Sequence, residues 1–118
     1  MFVLLTTFAA CSGPRLQDAD EVRQCLSDGT VDFSELPLSD TATVFAMDFG
    51  PNSVQIFVEP TVDGVETERA GIRAAEDEVG NKGSSRVILR SEANVLVSWA
   101  NEPTSDQREP VERCVGFA

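Results

Sequence analysis

The side chains in this sequence best able to do acid–base or ligand chemistry are its carboxylates and three cysteines, beside a single lysine, Lys82; it has no histidine and no tyrosine. Without histidine, Ser-His-Asp and Cys-His nucleophile systems are excluded, and the common nitrogen ligand for zinc and copper is missing. The cysteines stand at 11, 25 and 114, so there is no Cys-x-x-Cys pair to serve as a thioredoxin-like redox site. Asp48 and Glu59, expected on one sheet face, are the carboxylates from which a small hydrolase would be built, given a pocket and one raised pKa. Other acids read as solvated. Glu76, Asp77 and Glu78 are consecutive on a helix and point in different directions, while Asp18, Asp20 and Glu21 sit at a helix start, where acids meet the dipole. No spacing matches a calcium loop, so neither a metal nor a cofactor is implied. "GNKGSS" at residues 80–85 has a helix before it and a strand after it, the reverse of what a phosphate-cradling loop requires, and reads as a helix-to-strand connection.

The first of the three cysteines has a distinctive setting. "FVLLTTFA" is too short to span a bilayer, which takes roughly 20 apolar residues, but it has the length of an export signal's apolar region. Phe8-Ala9-Ala10-Cys11 resembles the lipobox of prokaryotic lipoproteins: an apolar residue, two small ones and a cysteine. The resemblance implies that Cys11 carries a diacylglyceryl group and becomes the N-terminus after cleavage. Residues 1–10 are then the remnant of an export signal, 11–15 the lipid-attachment site and a short linker, and 16–118 a single α+β domain. Phe8 stands where this family usually has Leu, and the first basic residue is Arg15. Both features follow if Met1 is an internal methionine of a longer precursor. The alternative use of residues 2–8 is a structural edge strand in a soluble cytosolic domain, since Phe, Val and Thr form strands well.

Lipidation of Cys11 accounts for the odd cysteine and leaves Cys25 and Cys114. Their contexts, "EVRQCL" and "PVERCV", place Val22, Cys25, Leu26 and Val111, Cys114, Val115 at i, i+3 and i+4, one inward stripe on each of two helices. In an oxidising compartment these two thiols are expected to form a disulfide; in a reducing one they are small core hydrophobes.

The elements follow from periodicity and punctuation. "DADEVRQCLSDG" predicts a helix with Asp18 or Asp20 as N-cap and Gly29 as its stop. "TVDFSELPLSDTA" reads as a loop lying over the domain through Val31, Phe33, Leu36 and Leu38. "TVFAMDFGPNSVQIFVE" predicts a hairpin pairing Phe49 with Val54, Met47 with Ile56 and Phe45 with Val58. A middle helix carries Val65, Ile72 and Val79 and closes at Gly80. "RVILRSEANVLVSWA" predicts a second hairpin with a three-residue loop, Glu92 to Asn94, pairing Val87 with Trp99 and Leu89 with Val97 and placing Asn94 in a left-handed conformation. A last helix covers "PTSDQREPVERCVGFA", with Pro110 suited to its first turn but not its interior.

The fold class is therefore α+β: a four-stranded, largely antiparallel sheet of two hairpins in α-ββ-α-ββ-α order, with helices packed on it. Three helices about 10 Å wide do not fit one face of four strands about 4.8 Å apart, so one helix sits at an edge or crosses to the second face. That face carries Val44, Phe57, Ile88 and Leu96 among Asp48, Gln55, Glu59, Arg86 and Arg90. Left uncovered, these four residues form a candidate partner surface; otherwise the middle helix or the preceding loop buries them.

With 118 residues the chain holds one core, and 42% hydrophobic residues suffice to build it. A formal charge of −11 disfavours nucleic acid and anionic headgroups as partners. The expected function is that of a small acidic cell-envelope lipoprotein, held to the membrane by its lipid and binding or scaffolding an envelope protein without catalysis.

Overall fold

The computed structural model describes residues 16–80 and 86–117, and among these it has three helices and five strands. Helix α1 (Ala19–Ser27) starts at Asp18, whose carboxylate accepts the Asp20 N–H at 2.8 Å, and it buries Val22 and Leu26 one turn apart. Helix α2 (Val62–Glu78) is capped by Thr61, which accepts the Gly64 N–H. Helix α3 (Ser105–Val115) opens with a reciprocal capping box between Thr104 and Gln107 and closes at Gly116, whose φ of +77° is readily reached by glycine. Pro110 is thus interior to α3, not in its first turn. Proline forfeits one backbone hydrogen bond there, and the helix continues past it because Val111, Cys114 and Val115 are buried in the core.

The strands β1 (Phe33–Leu36), β2 (Thr43–Asp48), β3 (Ser53–Val58), β4 (Ile88–Glu92) and β5 (Val95–Trp99) form one antiparallel sheet in the order β1-β2-β3-β5-β4. The expected four-stranded sheet gains β1 at its edge, taken from the segment read as a loop. Phe33 lies opposite Met47 and Leu36 opposite Val44, and Arg23 of α1 holds the new strand by a two-pronged contact with Glu35 at 3.0 Å per prong. The same guanidinium lies 5.6 Å from the centre of the Phe45 ring.

Both hairpin registers differ from expectation. In the first, Met47 pairs with Val54 and Phe45 with Ile56, a shift of two residues that leaves every side chain on its expected face. Phe49 enters the turn, where its N–H donates to the Asn52 carbonyl at 2.8 Å and Gly50 adopts a φ of +85°. In the second, the loop has two residues: Glu92 pairs with Val95 and Ile88 with Trp99. Ala93, not Asn94, takes the positive φ of +52°, because the Asn94 side chain is buried as a clamp on Gln17 and Glu59. That shift of one residue turns β4 over, sending Ile88 to the Trp99 face and Leu89 to the Leu96 face.

The sheet separates two apolar layers. On the first face Phe45, Met47, Val54, Ile56, Val95, Val97 and Trp99 pack with Val22, Leu26, Val111, Cys114 and Val115 from α1 and α3. On the second, α2 lies over Val44, Phe57 and Leu96 through Val65, with Leu36, Ile72 and Leu89 at the margin. The middle helix thus takes the second face, which removes the crowding of three helices on one side. Val79, expected in its stripe, is past the helix end and 71% exposed.

Candidate functional site

The most unusual chemistry lies where β3 hands over to α2. Glu59 follows the last residue of β3 on the second face, beneath the first turn of α2, and is 1% exposed. Its backbone is fixed: its N–H donates to the Asn94 carbonyl at 2.8 Å, and the Asn94 amide donates to its carbonyl at 2.6 Å. Its carboxyl Oε1 accepts from the Thr41 hydroxyl at 3.3 Å, while Oε2 is buried without a partner. Gly64 makes the space, since a Cβ there would lie 2.7 Å from Oε1. One turn further along α2, the Glu68 carboxyl lies within hydrogen-bonding reach. Burial first, and Glu68 second, push the Glu59 pKa up to about 7. Two ionised carboxylates have no proton to donate, so the juxtaposition becomes a hydrogen bond only when one carboxyl is protonated.

The other end of α2 has the opposite chemistry. Glu76, read from sequence as part of a solvated acidic face, is buried at 7% exposure. It accepts the Val87 N–H at 2.6 Å and the Arg73 guanidinium at 2.7 Å, and Arg73 also donates to the Val87 carbonyl at 3.0 Å. Burial pushes the Glu76 pKa up, but the Val87 N–H, Arg73 and Arg86 together outweigh it and hold the carboxyl below its usual range.

The residues singled out from sequence fall as follows. Cys25 and Cys114 are joined in a disulfide with their Cα atoms 5.5 Å apart, linking α1 to α3. Cys11 lies outside the described residues, as does the residue 2–8 segment. Val44, Phe57 and Leu96 share the second face but are buried under α2; Ile88 is on the first face beside Trp99, because β4 is turned over. The four therefore do not form one exposed patch. Asp48 and Glu59 also fail to converge. Asp48 pairs with Ser53 at the start of β3 and Glu59 follows its end, six residues at about 3.4 Å each, or roughly 20 Å. Asp48 instead borders a groove of about 430 Å³ on the uncovered part of the second face, with Asp32, Ser34, Ala46, Ser53 and Gln55.

Glu68 was missed by sequence reasoning. Its signal is the Gly64-to-Glu68 spacing of four, which puts a gap and a carboxyl on one helix stripe. Reading it requires knowing that this stripe meets Glu59.

Among the described residues no three His, Cys, Asp or Glu side chains are grouped to hold a metal ion, and no helix is long and apolar enough to cross a membrane. Comparison with known proteins finds no matching family model, no similar curated protein and no similar solved structure.

Proposed function

We propose that this chain is an exported, lipid-anchored cell-envelope protein whose domain binds or scaffolds another envelope component without catalysis. The observation that carries the reading is the Cys25–Cys114 bond. Disulfides persist in oxidising compartments, and this one uses two of the three cysteines, leaving Cys11 in its lipobox-like setting of Phe8-Ala9-Ala10. Two or more acyl chains on that residue satisfy the requirement for stable anchoring. A net charge of −11 keeps the domain off anionic headgroups and suits a cationic or neutral partner. A binding role is favoured over a hydrolytic one because Asp48 and Glu59 stand at opposite ends of the sheet. The pair that does converge, Glu59 with Glu68, has a carboxyl oxygen sealed from solvent, where substrate has no access.

Intact mass of the protein taken from its native host tests cleavage, acylation and the disulfide together. The expected species begins at an acylated Cys11 and lacks two hydrogens for the Cys25–Cys114 bond. Replacing Cys11→Ser should move the protein from the membrane fraction to the soluble one. An unmodified chain that retains Met1 and titrates three free thiols overturns the proposal in favour of a cytosolic domain.

A further inference from the structure

We propose that Glu59 and Glu68 form a proton-operated latch: one proton shared by the two carboxyls holds the N-terminal half of α2 on the sheet. Loss of that proton releases this half from Val44, Phe57 and Leu96, while the C-terminal half stays pinned at Glu76.

The geometry supplies each part. Glu59 belongs to the sheet layer, Gly64 of the helix packs on its carboxyl, and Glu68 lies one turn on from Gly64, so a proton shared by the two carboxyls would span the interface that must open. Glu59 cannot turn away to water: it is 1% exposed, its backbone is held on both sides by Asn94, and Gly64 packs directly on its carboxyl. Its orphaned Oε2 has no cation to meet. Facing Glu59 are Thr41 from the β1–β2 loop, Gly64 and Glu68 from α2, and Asn94 from the β4–β5 turn; of these only Glu68 is charged. Arg69, next to Glu68, is directed to Ser91 and Glu66 instead. Two carboxyls and one hydroxyl fall short of the six or more oxygens that calcium takes, and the pair is suited instead to holding a proton.

The hold to be released is thin. Within α2 only Val65 and Glu76 are buried, one near each end. Glu76 works ionised, bound to the Val87 N–H and Arg73, so raising the pH leaves that end in place. At the other end a raised pKa means that docking is fully supported below the ordinary carboxylate value of 4.5 and is lost as pH rises to about 7. The helix therefore opens from its N-terminal end, hinged at Glu76.

Hydrogen exchange of the disulfide-intact full chain, corrected for intrinsic base catalysis, tests this. Amides of residues 65–69 should lose protection by roughly 10-fold or more between pH 5 and pH 8, while those of residues 73–77 hold steady. Glu59→Gln replaces the shared proton with an amide that donates to Glu68 at every pH, so the loss should vanish. Glu68→Gln, whose amide donates to an ionised Glu59, should abolish it as well, and it serves as the test if the first variant does not fold. Equal pH dependence in the wild type and in the folded variants, or loss of protection along the whole of α2 together, overturns the latch.

Discussion

Glu59 and Glu76 stand at the two ends of one helix and answer pH in opposite senses. Glu76 has a depressed pKa, so its contribution is present above the ordinary value of 4.5 and is lost as pH falls through its own lower value. Glu76→Gln keeps an acceptor for the Val87 N–H but removes the charge that Arg73 and Arg86 meet. Urea denaturation at pH 7 should show it less stable than wild type by about 1–2 kcal/mol, with the gap closing near pH 3. A gap of equal size at both pH values would assign the ionised form no role. Glu59 was singled out in the sequence but with Asp48 as its partner, and Glu76 was not legible as special. "AEDEVG" looks like any solvated acidic run, and the contact between Glu59 and Glu68 exists only because α2 crosses the sheet above it. Burial of a charged group is decided by tertiary packing, which a local pattern does not encode.

At the scale of elements, α2 offers a comparison within one helix. Gly64 and Gly71 are both helical, and alanine is the better helix former at each by about 1 kcal/mol. A Cβ at Gly71 meets nothing within 4 Å, whereas one at Gly64 lies 2.7 Å from Glu59 Oε1 and 3.2 Å from its Cβ. Gly71→Ala should therefore raise stability by about 0.5–1 kcal/mol, and Gly64→Ala should lower it by about 1–2 kcal/mol in the same denaturation experiment. Equal shifts would mean that the helix is not seated on Glu59. The elements themselves were largely readable: three helices and two hairpins came from periodicity and caps, while width left both a sheet edge and the second face open, and the structure puts α2 on the second face. The registers were not. Phe45, Met47, Ile56 and Val58 are apolar at every second position, so a slip of two conserves the pattern and the turn residues Gly50 and Asn52 decide between alternatives. At the start of β4, Val87 just before the strand and Ile88 and Leu89 within it are apolar in succession and suit either face; the buried Asn94 clamp settles which. Strand β1 escaped notice because Phe33 and Leu36 are three apart, which is not the alternation of a strand.

For the whole molecule, the bond between Cys25 and Cys114 encloses a loop with a sequence separation of 89. In the chain-entropy model such a closure stabilises the fold by about 4–5 kcal/mol. The double replacement Cys25→Ala with Cys114→Ala should lower the unfolding free energy by that order, measured by urea titration under otherwise identical conditions; a loss under 1 kcal/mol would show that the unfolded chain gains little freedom from the cut. This pairing was legible because both cysteines sit on the apolar stripes of terminal helices, where tertiary packing brings like faces together. Because the bridge joins the first helix to the last, all five strands and α2 lie inside a covalent ring. Tension applied at the two chain ends is therefore carried across sulfur, and only the residues before 25 and after 114 can pay out. Once the Gln17 clamp on Asn94 gives way the strands carry none of that load, and under traction the protein behaves as a bead on a short cord.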